Sequence, residues 1–261
     1  MKRLLMAMLT TVLAVSASLA QESDYPGRKT YPTVKTYNTE QLSKAFNDVT
    51  IVDVRTRYEF DTLHINNAVN VQLEDQDFSK RVKELSKEGK PIVFYCNGHS
   101  CYKSYKACIK SEDADIGNVF AYDSGVFDWA RAQPDKATLL GKSPVDTARL
   151  ISSDGLKKYL LKPKDFNARI NPQAVILDIR EPKQRGLIEL YPYRQENISL
   201  DEKSKLDRFL NGIKGSGKTL LVYDEAGKQV RWFQYYLQEK GITDYFFMEG
   251  GVKAFFKEMR S

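Results

Sequence analysis

The 261-residue chain is poor in the residues that staple a fold together: it has three cysteines and two histidines. A small disulfide framework wants more cysteines, in an even number. Two histidines beside one short cysteine cluster do not make a metal site, so no metal or other cofactor is expected. A strong charge of one sign is also missing. Lys and Arg number 40 against 34 Asp and Glu, a formal net charge of +6. No basic block is interleaved with aromatics, so nucleic acid is not an expected partner. Past residue 20 no apolar run is long enough to cross a bilayer, and no membrane partner is expected once the leader described next is removed.

The first twenty residues read as a targeting segment, a signal peptide over residues 1–20. Lys2 and Arg3 precede an uncharged, mostly apolar run from Leu4 to Leu19, and Ser18-Leu19-Ala20 places small residues where a signal peptidase cleaves. The polar QESDYPGRKT that follows suits an exposed new terminus. The expected location is the periplasm, and the processed chain would carry +4, since the leader holds two bases and no acid. With 15 Tyr and 13 Phe to fill cores, the remainder is long enough for two domains of about 100–130 residues each.

Apolar runs with strand character alternate with amphipathic stretches. The spacing predicts strands at Thr50–Val54, Ala68–Val71, Pro91–Tyr95 and Asn118–Tyr122. Helices are predicted at Thr39–Phe46 with Thr39 as cap, Phe78–Lys87, Lys103–Lys110 and Val126–Ala132. Short strands separated by helices imply a mostly parallel sheet covered on both faces. The pattern then repeats. Ile51-Val52-Asp53-Val54-Arg55 returns as Ile176-Leu177-Asp178-Ile179-Arg180, and Ile92-Val93-Phe94-Tyr95-Cys96 as Leu220-Leu221-Val222-Tyr223-Asp224. Val119 to Phe127 returns as Tyr245 to Lys253, with Gly125-Val126 matching Gly251-Val252. Pro134, Gly141 and Pro144 mark the connection between the halves. The expected organisation is one domain over 35–135, a linker over 136–150 and a second domain over 151–261.

These motifs resemble the rhodanese superfamily. Val52-Asp53-Val54-Arg55, Glu59 and His64-Ile65-Asn66-Asn67-Ala68-Val69-Asn70 are similar to the family's "DVR…E…GHI.GA.N" element, with Asn66-Asn67 and Leu63 in place of the usual glycines. Val93-Phe94-Tyr95-Cys96, a loop and Lys103-Ser104-Tyr105-Lys106-Ala107 resemble its strand, active loop and helix. Ser124-Gly125-Val126-Phe127-Asp128-Trp129 and Glu249-Gly250-Gly251-Val252-Lys253-Ala254-Phe255 resemble its closing "GG…W" motif. The resemblance implies an α/β chain of two rhodanese-like domains, each with a mostly parallel five-stranded sheet flanked by helices. It also implies a sulfurtransferase whose cysteine carries sulfane sulfur as a persulfide, taken from a small anionic donor such as thiosulfate and passed to a thiol acceptor. Many two-domain members carry the reactive cysteine in the second domain; here it is in the first.

All three cysteines, Cys96, Cys101 and Cys108, fall within thirteen residues. Cys96 ends a strand, and a strand–loop–helix corner aims backbone N–H groups and the positive helix end at the loop, which favours a thiolate. Cys96 is the candidate nucleophile. Cys101, five residues on, is either a resolving thiol or an unpaired loop residue. His99 either assists proton transfer at the sulfur or faces solvent. Asn97, Gly98, Ser100, Tyr102 and Lys103 complete the candidate cradle for the donor, with Gly98 freeing the backbone and Lys103 attracting the anion. Six residues separate Cys96 from Lys103, where the common sulfurtransferase loop has four before an arginine. Lysine keeps the charge and loses the bidentate fork.

Cys108, His64, and the recurring Asp53–Arg55 and Asp178–Arg180 pairs are expected to serve the fold. Asp224 cannot carry sulfane sulfur, and a pair between Asp224 and Arg231 is expected to fill the second loop as an internal substitute for an anion. Gly212-Ile213-Lys214-Gly215-Ser216-Gly217-Lys218-Thr219 satisfies a phosphate-loop pattern but precedes a strand, so a surface turn is expected. The leading expectation is an exported sulfurtransferase acting through Cys96. The alternatives are a thiol–disulfide redox protein using Cys96 and Cys101, a non-catalytic binding module and, last for want of an arginine, a phosphatase.

Overall fold

In a computed structural model the described residues are 25–186 and 188–260. The expected signal peptide, residues 1–20, lies outside them. The chain divides into two compact units between Arg149 and Leu150.

In the first unit a short helix, α1 (Pro26–Thr30), precedes β1 (Thr36–Tyr37), α2 (Thr39–Lys44) and β2 (Thr50–Asp53). Next come α3 (Arg57–Thr62), β3 (Leu63–Ile65), β4 (Val69–Asn70) and α4 (Phe78–Ser86). Then β5 (Ile92–Tyr95), α5 (Lys103–Glu112), β6 (Val119–Tyr122), α6 (Gly125–Ala132) and β7 (Ala137–Leu139) complete it. The main sheet is five-stranded, in the order β1-β6-β5-β2-β4, with every pairing parallel. Every residue of β2 and β5 is buried, as a parallel sheet covered on both faces requires.

Local sequence accounts for the boundaries. Asn38, rather than the expected Thr39, caps α2: its side chain accepts from Gln41 N–H at 2.8 Å, and Gln41 returns a bond to the Asn38 N–H. The same reciprocal box, Thr56 with Glu59, starts α3. The stretch expected as a linker, 136–150, opens with a strand of the first unit. β7 pairs antiparallel with β3, its Ala137 and Leu139 are buried, and the indole of buried Trp129 donates to Lys136 O at 2.8 Å. Tertiary burial outweighs the turn-rich composition there.

The second unit repeats the plan. It contains α7 (Ser153–Lys157), β8 (Leu160–Leu161), α8 (Pro163–Ala168), β9 (Ala174–Asp178), α9 (Pro182–Arg185) and β10 (Gln195–Asn197). It continues with α10 (Lys203–Ile213), β11 (Thr219–Tyr223), α11 (Val230–Lys240), β12 (Tyr245–Met248) and α12 (Gly251–Glu258). Its sheet order, β10-β9-β11-β12-β8, is again all parallel and equivalent to the first. The fold class expected from the repeat is the one observed.

The phosphate-loop pattern runs from the last two residues of α10 into the first of β11, across a helix-to-strand turn with Gly215 and Gly217 at positive φ. No helix among the described residues is long and apolar enough to cross a membrane.

Candidate active site

Cys96 is the first residue after β5 and is buried; its carbonyl accepts the Val126 N–H at 3.0 Å, tying the loop to the start of α6. Two glycines make that contact possible. Gly125 sits at φ +72°, and a Cβ on it would collide with the backbone of Asn97 and Gly98. Gly98 sits at φ +144°, and a Cβ there would meet Ser124 O at 3.0 Å. A side chain at either position would carry backbone strain and push the loop off its support.

The loop turns tightly, with Cys101 N–H donating to Gly98 O at 2.7 Å. Cys96 and Cys101 are joined as a disulfide, their Cα atoms 6.4 Å apart. The Cys96 sulfur lies 3.2 Å from Cys101 O and 4.0 Å from the hydroxyl of buried Ser104, on the first turn of α5. Cys108 is free and buried in the core behind α5, where burial pushes its thiol well above the ordinary range.

The other loop candidates take different positions. The Asn97 side chain is engaged inside the unit, accepting from Arg55 Nη1 at 3.1 Å and donating to Glu59 Oε1 at 3.1 Å. Its amide therefore anchors the loop. His99 Nε2 is 2.7 Å from Asp128 Oδ2, and its ring stacks on Tyr25 with centroids 4.3 Å apart. Ser100 is exposed. Tyr102 directly precedes α5, edge-on to Tyr31 at 6.0 Å. The Lys103 ammonium pairs with Glu74 at 2.9 Å, so its charge is shared with an acid.

Around this loop the structure adds contacts that the periodicity did not signal. Arg55 binds Asp53 through Nε at 2.9 Å and Nη2 at 2.5 Å, donates to Leu63 O at 2.6 Å and reaches Asn97. The expected structural pair thus also holds the loop. Tyr25 donates to or accepts from Ser124 Oγ at 3.0 Å. Arg28 forms a two-pronged bond to Asp123 at 2.8 and 3.2 Å, and the Tyr105 hydroxyl donates to the same carboxylate at 2.5 Å. Burial and that carboxylate push the Tyr105 hydroxyl up. His64 is structural in its contacts: Nδ1 donates to Phe60 O at 2.8 Å, and burial lowers its pKa.

The second loop has the same frame with a different filling. Arg180 binds Asp178 through Nε at 3.1 Å and Nη2 at 2.8 Å, donates to Ile188 O at 2.8 Å and approaches Glu225 at 3.5 Å, as Arg55 approaches Asn97. Asp224 O accepts the Val252 N–H at 2.9 Å. The Asp224 carboxylate does not pair with Arg231 as expected. It accepts backbone N–H groups of its own loop, from Ala226 at 3.1 Å, from Gly227 and from Gln229 at 2.6 Å. Arg231 instead donates to Ile151 O. The reason is geometric: a short side chain at the strand end points into the curl of loop amides, which supply the positive partners nearest to it. Burial nevertheless raises the Asp224 pKa, with the amides pulling the other way.

The sequence model of the rhodanese-like domain matches residues 38–132 and 162–258, and the chain belongs to that family. Curated relatives named tRNA uridine(34) hydroxylase match parts of it. The protein from Onion yellows phytoplasma is 27% identical over 156 residues, 53% of this chain and 50% of its own length. That from Cytophaga hutchinsonii is 39% identical over 83 residues, 29% of this chain and 27% of its own. The chain thus spans half or less of the length of these relatives. Among solved structures, the thiosulfate sulfurtransferase of Pseudomonas aeruginosa shares 16% identity, covering 87% of this chain and 43% of that one, with a TM-score of 0.38. A rhodanese-related protein of Thermoplasma volcanium shares 19%, covering 38% and 93%, with a TM-score of 0.33.

Proposed function

We propose that the protein is an exported sulfurtransferase that carries sulfane sulfur on Cys96. The observation that carries this reading is the position of Cys96, at the end of β5 and against the first turn of α5, in a loop held by Gly125 and by Asn97. Export rests on the basic and apolar first twenty residues. In the first step the Cys96 thiolate attacks the outer sulfur of thiosulfate. The S–S bond of the donor breaks, sulfite leaves with its electron pair, and Cys96 holds a persulfide. An acceptor thiolate then attacks the outer sulfur of that persulfide, takes it away and returns the Cys96 thiolate.

The second step has an internal competitor. Cys101 is close enough to pair with Cys96, so its thiolate can attack the inner sulfur of the persulfide. Hydrosulfide leaves with the electron pair, and the Cys96–Cys101 disulfide forms with no outside oxidant. A thiol reductant is then needed to reset the loop. The same disulfide favours the second reading, a dithiol–disulfide redox protein with no sulfur cargo.

Intact-mass measurement on the reduced protein separates the two. With thiosulfate, the Cys101→Ala variant is expected to gain one sulfur at Cys96, while the wild type goes on to the disulfide and releases sulfide. Cys96→Ser is expected to gain none. A Cys101→Ala variant that stays unloaded while the wild-type dithiol exchanges rapidly with disulfides would overturn sulfur transfer in favour of redox exchange.

A further inference from the structure

The second unit contains a cavity of about 400 Å³ beside the loop that holds Asp224, lined in part by Arg180, Glu225 and the α12 residues Lys253, Phe256 and Lys257. Its place in that unit corresponds to the mouth of the cysteine loop in the first. Its chemistry is different, because the reactive position is filled by a carboxylate that its own loop amides already hold.

The wall of this cavity is cationic for a reason visible in the repeat. Lys253, Lys257 and Arg260 lie four and three residues apart, on one side of the helix and its last turn. Among the described residues none of the three has a carboxylate within ion-pair distance. In the first unit the aligned residues are Phe127 and Arg131 at the first two positions, and Asp128 takes the Arg131 guanidinium at 3.2 Å. The second unit has Ala254 where Asp128 stands, so Lys257 loses that counter-charge, and Lys253 adds a cation where the first unit has a ring. Glu225 is the one carboxylate on the lining, against these three cations, and it faces buried Arg180. The floor is apolar: Phe256 is half-buried, and Ile188, an aliphatic side chain 49% exposed to water, lines the same space. The amides at the start of α12 are already spent, Val252 N–H on Asp224 O and Lys253 N–H on Glu225 O. The attraction for an anion therefore comes from side chains.

We infer that this cavity is a binding site for a small organic anion, a molecule with a sulfonate- or carboxylate-type head and a short apolar body. The head meets Lys253 and Lys257, and the body covers Phe256 and Ile188. A naked inorganic anion leaves the apolar floor wet, and a neutral aromatic leaves the cations unmatched, so both are weaker ligands. The site is independent of sulfur transfer at Cys96.

The test is calorimetric titration of the full chain with benzenesulfonate, beside sulfate and benzyl alcohol at the same concentrations. Saturable binding of benzenesulfonate alone is expected, weakened by added salt and roughly tenfold weaker in the Lys253→Gln/Lys257→Gln double variant. Both substituted side chains are exposed, and circular dichroism checks that the variant is folded. Cys96→Ser is expected to bind as the wild type does. No saturable binding, equal affinity in the double variant, equally tight benzyl alcohol, or loss of binding in Cys96→Ser would each overturn the assignment. None of these outcomes bears on whether Cys96 loads sulfur.

Discussion

The two loops of this protein occupy the same corner of the same sheet and solve opposite problems. Both leave the end of a central parallel strand, both rest on a glycine at positive φ, and both are tied to a buried Asp–Arg pair two residues apart. In the second unit Asp224 folds its carboxyl group back onto the amides of its own loop, so the curl carries its own acceptor. In the first unit a cysteine stands there, and the partner in reach is a second cysteine on the same loop. The same backbone curl is filled by its own carboxyl group in one copy and holds a cysteine pair in the other. The scaffold is shared, and the side chain at the strand end decides what fills the curl.

The buried ion pairs give the sharpest way to break that symmetry. Arg55→Met and Arg180→Met each strand a buried aspartate, and each is expected to cost about 3–5 kcal/mol in its own unit by urea unfolding. Arg55→Met is also expected to change the alkylation rate of reduced Cys96, because Arg55 holds Asn97. Arg180→Met should leave that rate alone. Equal rates in the two variants would show that the Asp–Arg pair serves only the fold.

Gly125→Ala and Gly251→Ala come next, at about 3 kcal/mol each from positive-φ strain and the forced shift of the facing loop. Here too only the first should disturb Cys96. If both are tolerated within a few tenths of a kcal/mol by thermal unfolding, the loops do not depend on that close approach.

Asp224→Ala is expected to cost about 2 kcal/mol by leaving buried loop amides without their acceptor. Its pH dependence has a definite sign. Burial raises the Asp224 pKa above the ordinary 3.8, so the folded state holds the proton more tightly than the unfolded one. The stability linked to that proton is fully present below pH 3.8 and is lost as pH rises through the raised value. The cost of Asp224→Ala should therefore be largest in acid and shrink toward neutrality, measured as the difference between wild-type and variant unfolding curves. A cost that grows from acid to neutral pH would mean that the amides outweigh burial.

The smallest effect concerns Cys108. Cys108→Ala is expected to change stability by no more than about 1 kcal/mol. In the reduced native protein Cys108 should resist alkylation, as its raised pKa implies. Rapid labelling at Cys108 would show that the core behind α5 opens.

Much of the architecture is legible in the sequence. The recurrence of Val52-Asp53-Val54-Arg55 and Leu177-Asp178-Ile179-Arg180 predicts two equivalent sheets, and the strand orders agree. Helix edges were harder: Asn38 rather than Thr39 caps α2, since either residue can accept and only the backbone angle chooses. β7 was hidden inside a turn-rich stretch because a three-residue edge strand has too short a pattern to see. The site was legible as a cysteine-bearing loop and illegible as a network. His99 meets Asp128 twenty-nine positions away and Asn97 meets Arg55 forty-two positions away. No local spacing encodes either contact. The Asp224 and Arg231 expectation failed for the same reason: the seven-residue separation shared with Cys96 and Lys103 suggested a charge pair across the loop, and the loop curl brought amides closer.

Order and composition alone determined the tandem sheets, the burial of the central strands, and the presence of a cysteine at the strand end in one half with a carboxylate in the other. Those properties follow from backbone periodicity and residue type, which are local. Tertiary structure decided that Cys101 faces Cys96, that Tyr25 and Asp128 hold the His99 ring, and that Lys253 and Lys257 share a cavity wall. Each of these depends on where a loop or helix brings a side chain after the sheet has formed, and in a parallel sheet the crossovers bring sequence-distant residues together at the ends of neighbouring strands.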